Sequence, residues 1–313
     1  MSFSIGLVGA GAIGGYLAAH LIDAGAQVSI LARPRTGSAI RSEGLRVATG
    51  GREIVAQPAA VREDPLDIGP VDLLIFTVKG QDTRSAAEAM RPMVGPDTRI
   101  LTFQNGLYGA ETLADLYAPE QVLAGVTYVP AVVEAPGRIR HTGAVTRFVF
   151  GPLTGGVAPR IAQDFAALGQ QAGLDMVCMD EPGPEIWAKF VMLTPFHLVS
   201  CLTRGVLGNW IDVHETRGVY VDAMREVTDV AQACGVTLPE GLVERNLAFS
   251  TGTADRGTRA SMLDDLERGK PLELDATVGW LLATADRVGV EVPLHRMGYA
   301  LVKPWAAGRD QVA

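Results

Sequence analysis

The sequence predicts an α/β fold, in which an N-terminal parallel sheet wound with helices on both faces is followed by an all-α C-terminal domain. Three observations predict it. A short apolar run, Ile5 to Val8, leads straight into Gly9, Gly11 and Gly14 at the spacing G-x-G-x-x-G. Two further runs, Val71 to Val78 and Arg99 to Phe103, are apolar and end in polar residues, as buried parallel strands do. After the break at Asp180-Glu181-Pro182-Gly183-Pro184, nearly every stretch has helical spacing. The expected domains are residues 1–180 and 181–313.

Composition narrows the function. A chain of 313 residues, 48% hydrophobic and 20% charged, is long enough for two cores and has the balance of a soluble globular protein. A net charge of -8 and a pI near 5.2 argue against a nucleic-acid partner, whose phosphates demand a basic face. The three cysteines, Cys178, Cys201 and Cys234, have neither C-x-x-C nor His-paired spacing, so no disulfide framework and no metal site is expected, and a reducing cytoplasmic setting is. The first strand is predicted within a few residues of Met1, so no signal peptide is expected. Phe190 to Leu202 is apolar but interrupted by Pro195 and His197, and is expected to be too short to span a bilayer.

Each glycine of the first motif has its own task. Gly9 permits the tight turn, Gly11 lets a pyrophosphate approach the backbone, and Gly14 lets helix and strand pack closely. Ala12 and Ile13 lie at the helix start, where N–H groups and the positive dipole end attract phosphate. The motif alone is weak in a chain of 36 glycines, but its context is that of a Rossmann-type dinucleotide site. Tyr16 to Ala24 continues with helical spacing, Gly25 is a good C-cap, and Gln27 to Leu31 reads as a second strand.

The second strand ends in Ala32-Arg33-Pro34-Arg35, where NAD-binding folds usually carry a carboxylate for the ribose 2′-hydroxyl. An arginine there suits a 2′-phosphate, so the expected cofactor is NADPH, with Arg33 as its reader. Lys79 and Asn105, at the ends of the later apolar runs, are expected at the same cofactor edge. From Val122 to Gly151, short β-like runs at Val126 to Val133 and Val145 to Phe150 read as antiparallel strands completing the sheet. Ile161 to Leu168 reads as a helix and Asp175 to Met179 as a last strand. Beyond the break, Glu185 to Leu202 reads as a helix with Lys189, Leu193 and His197 on one face. Arg259 to Asp265 and Pro271 to Asp275 read as two helices around a Gly269-Lys270 break, and Gly308 to Ala313 are expected to fray.

Taken together, GAGAIGG, the run ending at Lys79, Gln104-Asn105-Gly106, Trp187-Ala188-Lys189 and SMLDD followed by LELD resemble the 2-dehydropantoate 2-reductases, or ketopantoate reductases. The resemblance runs from end to end and keeps the order and spacings. It implies NADPH-dependent reduction of a 2-keto acid, with Lys189 as general acid, Glu273 as its acidic partner, Ser261 as a substrate-contacting hydroxyl and Asn105 between nicotinamide and substrate. The chemistry fits those residue types: hydride addition builds negative charge on the ketone oxygen, which an ammonium can stabilise and protonate, and a carboxylate can hold that ammonium charged.

The chain departs from the family pattern at Leu193 and His197, where the family carries asparagines that help hold the substrate. Both positions are expected at the substrate site: Leu193 cannot hydrogen-bond and makes its wall more apolar, while His197 is open to two readings, contact with a substrate carboxylate or a core histidine making one backbone hydrogen bond. This opens the alternative of a related reductase acting on another oxo acid or ketone. A catalytically inactive NADP-binding sensor is less favoured, since Lys189 and Glu273 are both retained. The expected partners are a small 2-keto acid, no nucleic acid and no membrane, with a homodimer left open.

Overall fold

In the computed structural model, which describes residues 3–309, the run Ile5–Val8 forms strand β1, buried at every residue. In chain order it is followed by α1 (Ala12–Asp23), β2 (Val28–Leu31), α2 (Pro34–Glu43), β3 (Leu45–Thr49), β4 (Arg52–Ala56), β5 (Ala60–Arg62) and β6 (Leu73–Phe76). Next come α3 (Thr83–Ala89), β7 (Arg99–Thr102), α4 (Tyr108–Leu116), β8 (Val122–Thr127), β9 (Ala131–Ala135), β10 (Arg138–His141), β11 (Arg147–Pro152), α5 (Arg160–Gln171) and β12 (Asp175–Cys178). These elements make one compact unit; a second begins at Pro184. The division lies inside the Asp180–Pro184 break, three residues after the expected boundary at 180.

The first unit is built on an eight-stranded sheet of order β12-β11-β8-β7-β6-β1-β2-β5. It is parallel except where β11 runs against β8. β1 lies between β2 and β6, with Leu7 opposite Ile30 on one side and Ile75 on the other. A strand flanked on both sides and covered on both faces needs a continuous apolar run, as IGLV and LLIF supply. Parallel pairing carries the C-terminal ends of β1, β2, β6 and β7 to one edge of the sheet. Ligands bind at that edge in open α/β folds.

A second sheet, of order β4-β3-β10-β9, corrects the expectation for residues 122–151. β8 and β11 do pair antiparallel in the main sheet, but β9 and β10 leave it to join β3 and β4, from a stretch that patterning leaves unassigned. α1 packs against both sheets. That explains why Gly14 through Leu21 are all buried, with no solvent-facing stripe.

The second unit has helices and no strand among its described residues: α6 (Gly183–Thr203), α7 (Leu207–Trp210), α8 (His214–Ala233), α9 (Leu242–Ala248), α10 (Ser261–Glu267), α11 (Trp280–Val288) and α12 (Pro293–Val302). α11 is preceded by a wider π-type turn at Asp275–Gly279, so the second helix starts later than expected, with Pro271 to Glu273 outside it. α6 has 21 residues and is long and apolar enough to cross a membrane, so the expected length argument does not hold. Burial supplies the better argument, since 61% of its apolar window is covered within the protein, as in a core helix. Near the C-terminus, Gly308 is buried and donates to Trp305, and Arg309 donates to Gly269, so these two residues are held rather than frayed. The rest of the stretch expected to fray lies outside the described residues.

Candidate active site

At the carboxyl edge of the first sheet, the turn after β1 is shaped by what its glycines lack. Gly9 has φ +101°, and a Cβ there would come 2.7 Å from the backbone of Thr77 and Val78. A Cβ on Gly14 would overlap the Thr77 hydroxyl and the Gly9 carbonyl oxygen. Gly11 is different: a Cβ there would meet nothing within 4 Å. The space in front of Gly11 is therefore open, as a cradle for a pyrophosphate requires. Gly11 is also the N-cap of α1 and offers no side chain to it, which leaves the first-turn N–H groups of Ala12, Ile13 and Gly14 without a side-chain cap. These residues fit a dinucleotide.

The neighbouring strand ends converge on the same edge. Arg33, at the N-cap of α2, is exposed and pairs with Asp82, in the turn after β6, at 2.6 Å. Lys79 begins that turn and is exposed, and Asn105, after β7, is half-buried. Gln104 is a residue whose role the sequence does not reveal. Its side-chain amide donates to the Val78 carbonyl at 2.9 Å and to the Thr83 hydroxyl at 2.8 Å, tying the ends of β6 and β7 together beneath Lys79 and Asn105.

In the second unit, Lys189 sits on α6 between Trp187 and Phe190, both buried. Trp280 of α11 packs on both rings, with centroids 5.4 Å from Trp187 and 5.6 Å from Phe190. Spacing along the chain gives no hint of this aromatic contact. Burial pushes the Lys189 ammonium down to about 8, while the charge of Glu273 acts in the opposite direction. Glu273 is held just ahead of the Asp275–Gly279 turn, where its carbonyl accepts from the Thr277 N–H at 3.0 Å and the Thr277 hydroxyl at 2.8 Å. The structure thus brings Lys189 and Glu273 together from distant parts of the chain. Leu193 is half-buried and His197 buried further along α6, and Ser261 is exposed at the start of α10. Among the described residues, no cluster of His, Cys, Asp and Glu is suited to a metal ion.

The glycine turn of the first unit has the open cradle of a dinucleotide-binding protein. The family described as "Ketopantoate reductase PanE/ApbA" matches residues 5–155, and its companion, "Ketopantoate reductase PanE/ApbA C terminal", matches residues 184–306. The chain is 32% identical to a 2-dehydropantoate 2-reductase of Mesorhizobium japonicum, covering 97% of this chain and 98% of that protein. Its fold is similar to that of a ketopantoate reductase from Ralstonia eutropha JMP134, with a TM-score of 0.87 and 31% identity over 97% of this chain and 98% of that one. It is also similar to a 2-dehydropantoate 2-reductase from Geobacter metallireducens GS-15, with a TM-score of 0.89 and 30% identity over 96% of this chain and 99% of that one. The chain belongs to the ketopantoate reductase family.

Proposed function

We propose that the protein reduces ketopantoate to pantoate with NADPH. The single observation that carries the reading is Lys189 on α6, brought near Glu273 from a distant part of the chain, with its pKa lowered to about 8 by burial while the Glu273 charge opposes the shift. A general acid works best when its pKa lies near the working pH, and an ordinary surface lysine lies too high. NADPH, when bound, supplies the hydride that adds to the ketone carbon. The Lys189 ammonium stabilises the negative charge that develops on the ketone oxygen and donates the proton that completes the alcohol. Glu273 favours the charged form of Lys189 and orients it. Asn105 and the Ser261 hydroxyl hold the substrate, with Leu193 and His197 as an apolar and a polar portion of its wall. On the cofactor side, Gly9, Gly11, Ala12, Ile13 and Gly14 form the pyrophosphate cradle, Arg33 reads the 2′-phosphate, and Lys79 and Asn105 line the same edge.

The first unit is read as the NADP-binding domain and the second as the substrate and catalytic domain. The reading takes a small 2-keto acid as partner and a cytoplasmic location. Sedimentation of the purified protein would determine whether it is a homodimer.

The test is consumption of NADPH on adding ketopantoate and, in parallel, a panel of other 2-keto acids. Ketopantoate is expected to be the best substrate. The panel includes acids with bulkier apolar side chains, because Leu193 and His197 stand where the family pattern carries asparagines. Higher kcat/KM for one of those acids would overturn the substrate assignment, and tight NADPH binding with no turnover on any would overturn the assignment as a reductase.

A further inference from the structure

Asp82 does something at the cofactor edge that the reduction itself does not require. It is the N-cap of α3, where an aspartate ordinarily accepts from the first N–H groups of its helix, yet its side chain makes no capping bond. Its carboxylate takes the Arg33 guanidinium instead, at 2.6 Å. Arg33 is the N-cap of α2 and likewise caps nothing with its side chain. The pair therefore joins the starts of two helices that follow β2 and β6, the strands on either side of β1. It spans the end of β1, from which the glycine turn leads.

We propose that Asp82 is an internal counter-ion that competes with the cofactor's 2′-phosphate for Arg33, and so sets how strongly the protein prefers NADPH over NADH. The proposal rests on the reading of Arg33 as the 2′-phosphate ligand. Both side chains are open to water, 82% exposed for Arg33 and 36% for Asp82, so their pairing is weak and exchangeable. A phosphate carries more charge than a carboxylate and can take two N–H groups of the guanidinium at once. Asp82 opposes that exchange in two ways: it occupies part of the donor fork, and it sets a like charge beside the arriving phosphate. A ribose 2′-hydroxyl carries no charge and meets neither obstacle. Asp82 thus penalises only the phosphorylated cofactor.

The experiment is a fluorescence titration of NADPH and NADH, without substrate, into the full-length wild type, Asp82→Asn, Asp82→Ala and Arg33→Ala. Asp82→Asn keeps the size of the side chain and removes its charge. Both Asp82 variants are expected to bind NADPH roughly two- to fivefold more tightly, the range set by an exposed ion pair, with a gain that shrinks at high salt and little change for NADH. Arg33→Ala is expected to weaken NADPH roughly tenfold or more and leave NADH nearly unchanged. If Arg33→Ala weakens NADPH but the Asp82 variants leave it unchanged or weaken it, Asp82 is no competitor and the proposal falls while the cofactor reading stands. Equal tightening of both cofactors would also overturn it, since the effect would then be structural. If Arg33→Ala binds NADPH normally, the reading of Arg33 fails, and the proposal fails with it.

Discussion

The Thr77 hydroxyl donates to the Gly9 carbonyl oxygen at 2.9 Å, fastening the end of β6 to the turn that follows β1. Gly14 closes the same corner, because a methyl group there would overlap both atoms. Gly14→Ala is therefore expected to displace the turn and break the Thr77 bond. The cost from overpacking is about 1–3 kcal/mol of stability, read by urea denaturation. NADPH binding should weaken in parallel. A variant with unchanged stability and NADPH affinity would show that the corner yields without loss.

Lys189→Ala is expected to lower kcat by about 10²–10⁴-fold, the loss of a general acid, while the NADPH dissociation constant changes little. The asymmetry follows from timing: the charge that Lys189 would stabilise is absent from the bound ketone and develops only as hydride adds. Stopped-flow measurement of the hydride step, beside a binding titration, checks both halves. Near-normal kcat in the variant would assign the proton to another donor.

The lowered pKa of Lys189 fixes where alkaline pH should act. Reduction needs the protonated amine, so kcat/KM for reduction should fall as pH rises through about 8 rather than near the ordinary lysine value of 10.5. Glu273 raises the pKa of Lys189 against the effect of burial, so Glu273→Gln should move that limb to lower pH. The same shift bears on stability. Between about 8 and 10.5 the unfolded chain holds the proton more tightly than the folded one, so the Lys189 contribution to stability grows as pH rises across that window. A limb that stays in place in Glu273→Gln would show that the carboxylate does not act on this ammonium.

Glu226 gives the second unit a different pH dependence. Its buried carboxylate accepts from the Leu294 N–H at 2.8 Å, the His295 N–H at 3.1 Å and His295 Nδ1 at 2.7 Å, and so anchors the first turn of α12 to α8. Burial pushes the Glu226 pKa up, but these hydrogen bonds outweigh it and hold the group below its usual 4.5. A lowered carboxylate pKa contributes stability that is present above 4.5 and lost as pH falls through the folded value. Glu226→Gln should therefore cost about 1–3 kcal/mol at neutral pH, and the gap to wild type should narrow in acid. Denaturant midpoints measured across that range test both statements.

The parts of the fold that could be read from the sequence are those whose signal is local. IGLV followed by three spaced glycines, and LLIF ending near a lysine, announce buried strands at a ligand edge within a few residues. The second sheet leaves no such mark. β4 reads REIVA and β9 reads AVVEA, each short and largely exposed, and the pairing that joins their two hairpins, β3 with β10, links residues far apart in sequence. The site divides in the same way. The glycine turn and Arg33 stand out by type and position, whereas Glu273 is visible only through the family resemblance. Trp280 and Gln104 act through contacts that no spacing encodes, and the Asp82 carboxylate, at a helix start, gives no sign that it serves an arginine instead of its own helix.

The parallel pairing of β3 with β10 also sets an order of events at birth. The hairpin of β3 and β4 is complete early in synthesis, but a two-stranded ribbon is marginally stable in water. Its lasting partner, β10, pairs Arg138 with Arg46 and emerges from the ribosome only after most of the main sheet has been made. Until then α1 lacks the part of its cover that β10 supplies, and that portion of its apolar face is exposed to chaperones or to aggregation. A chain released just short of residue 138 would carry the whole glycine turn and still lack Ile139 of β10, which lies against Gly15 of the helix behind it.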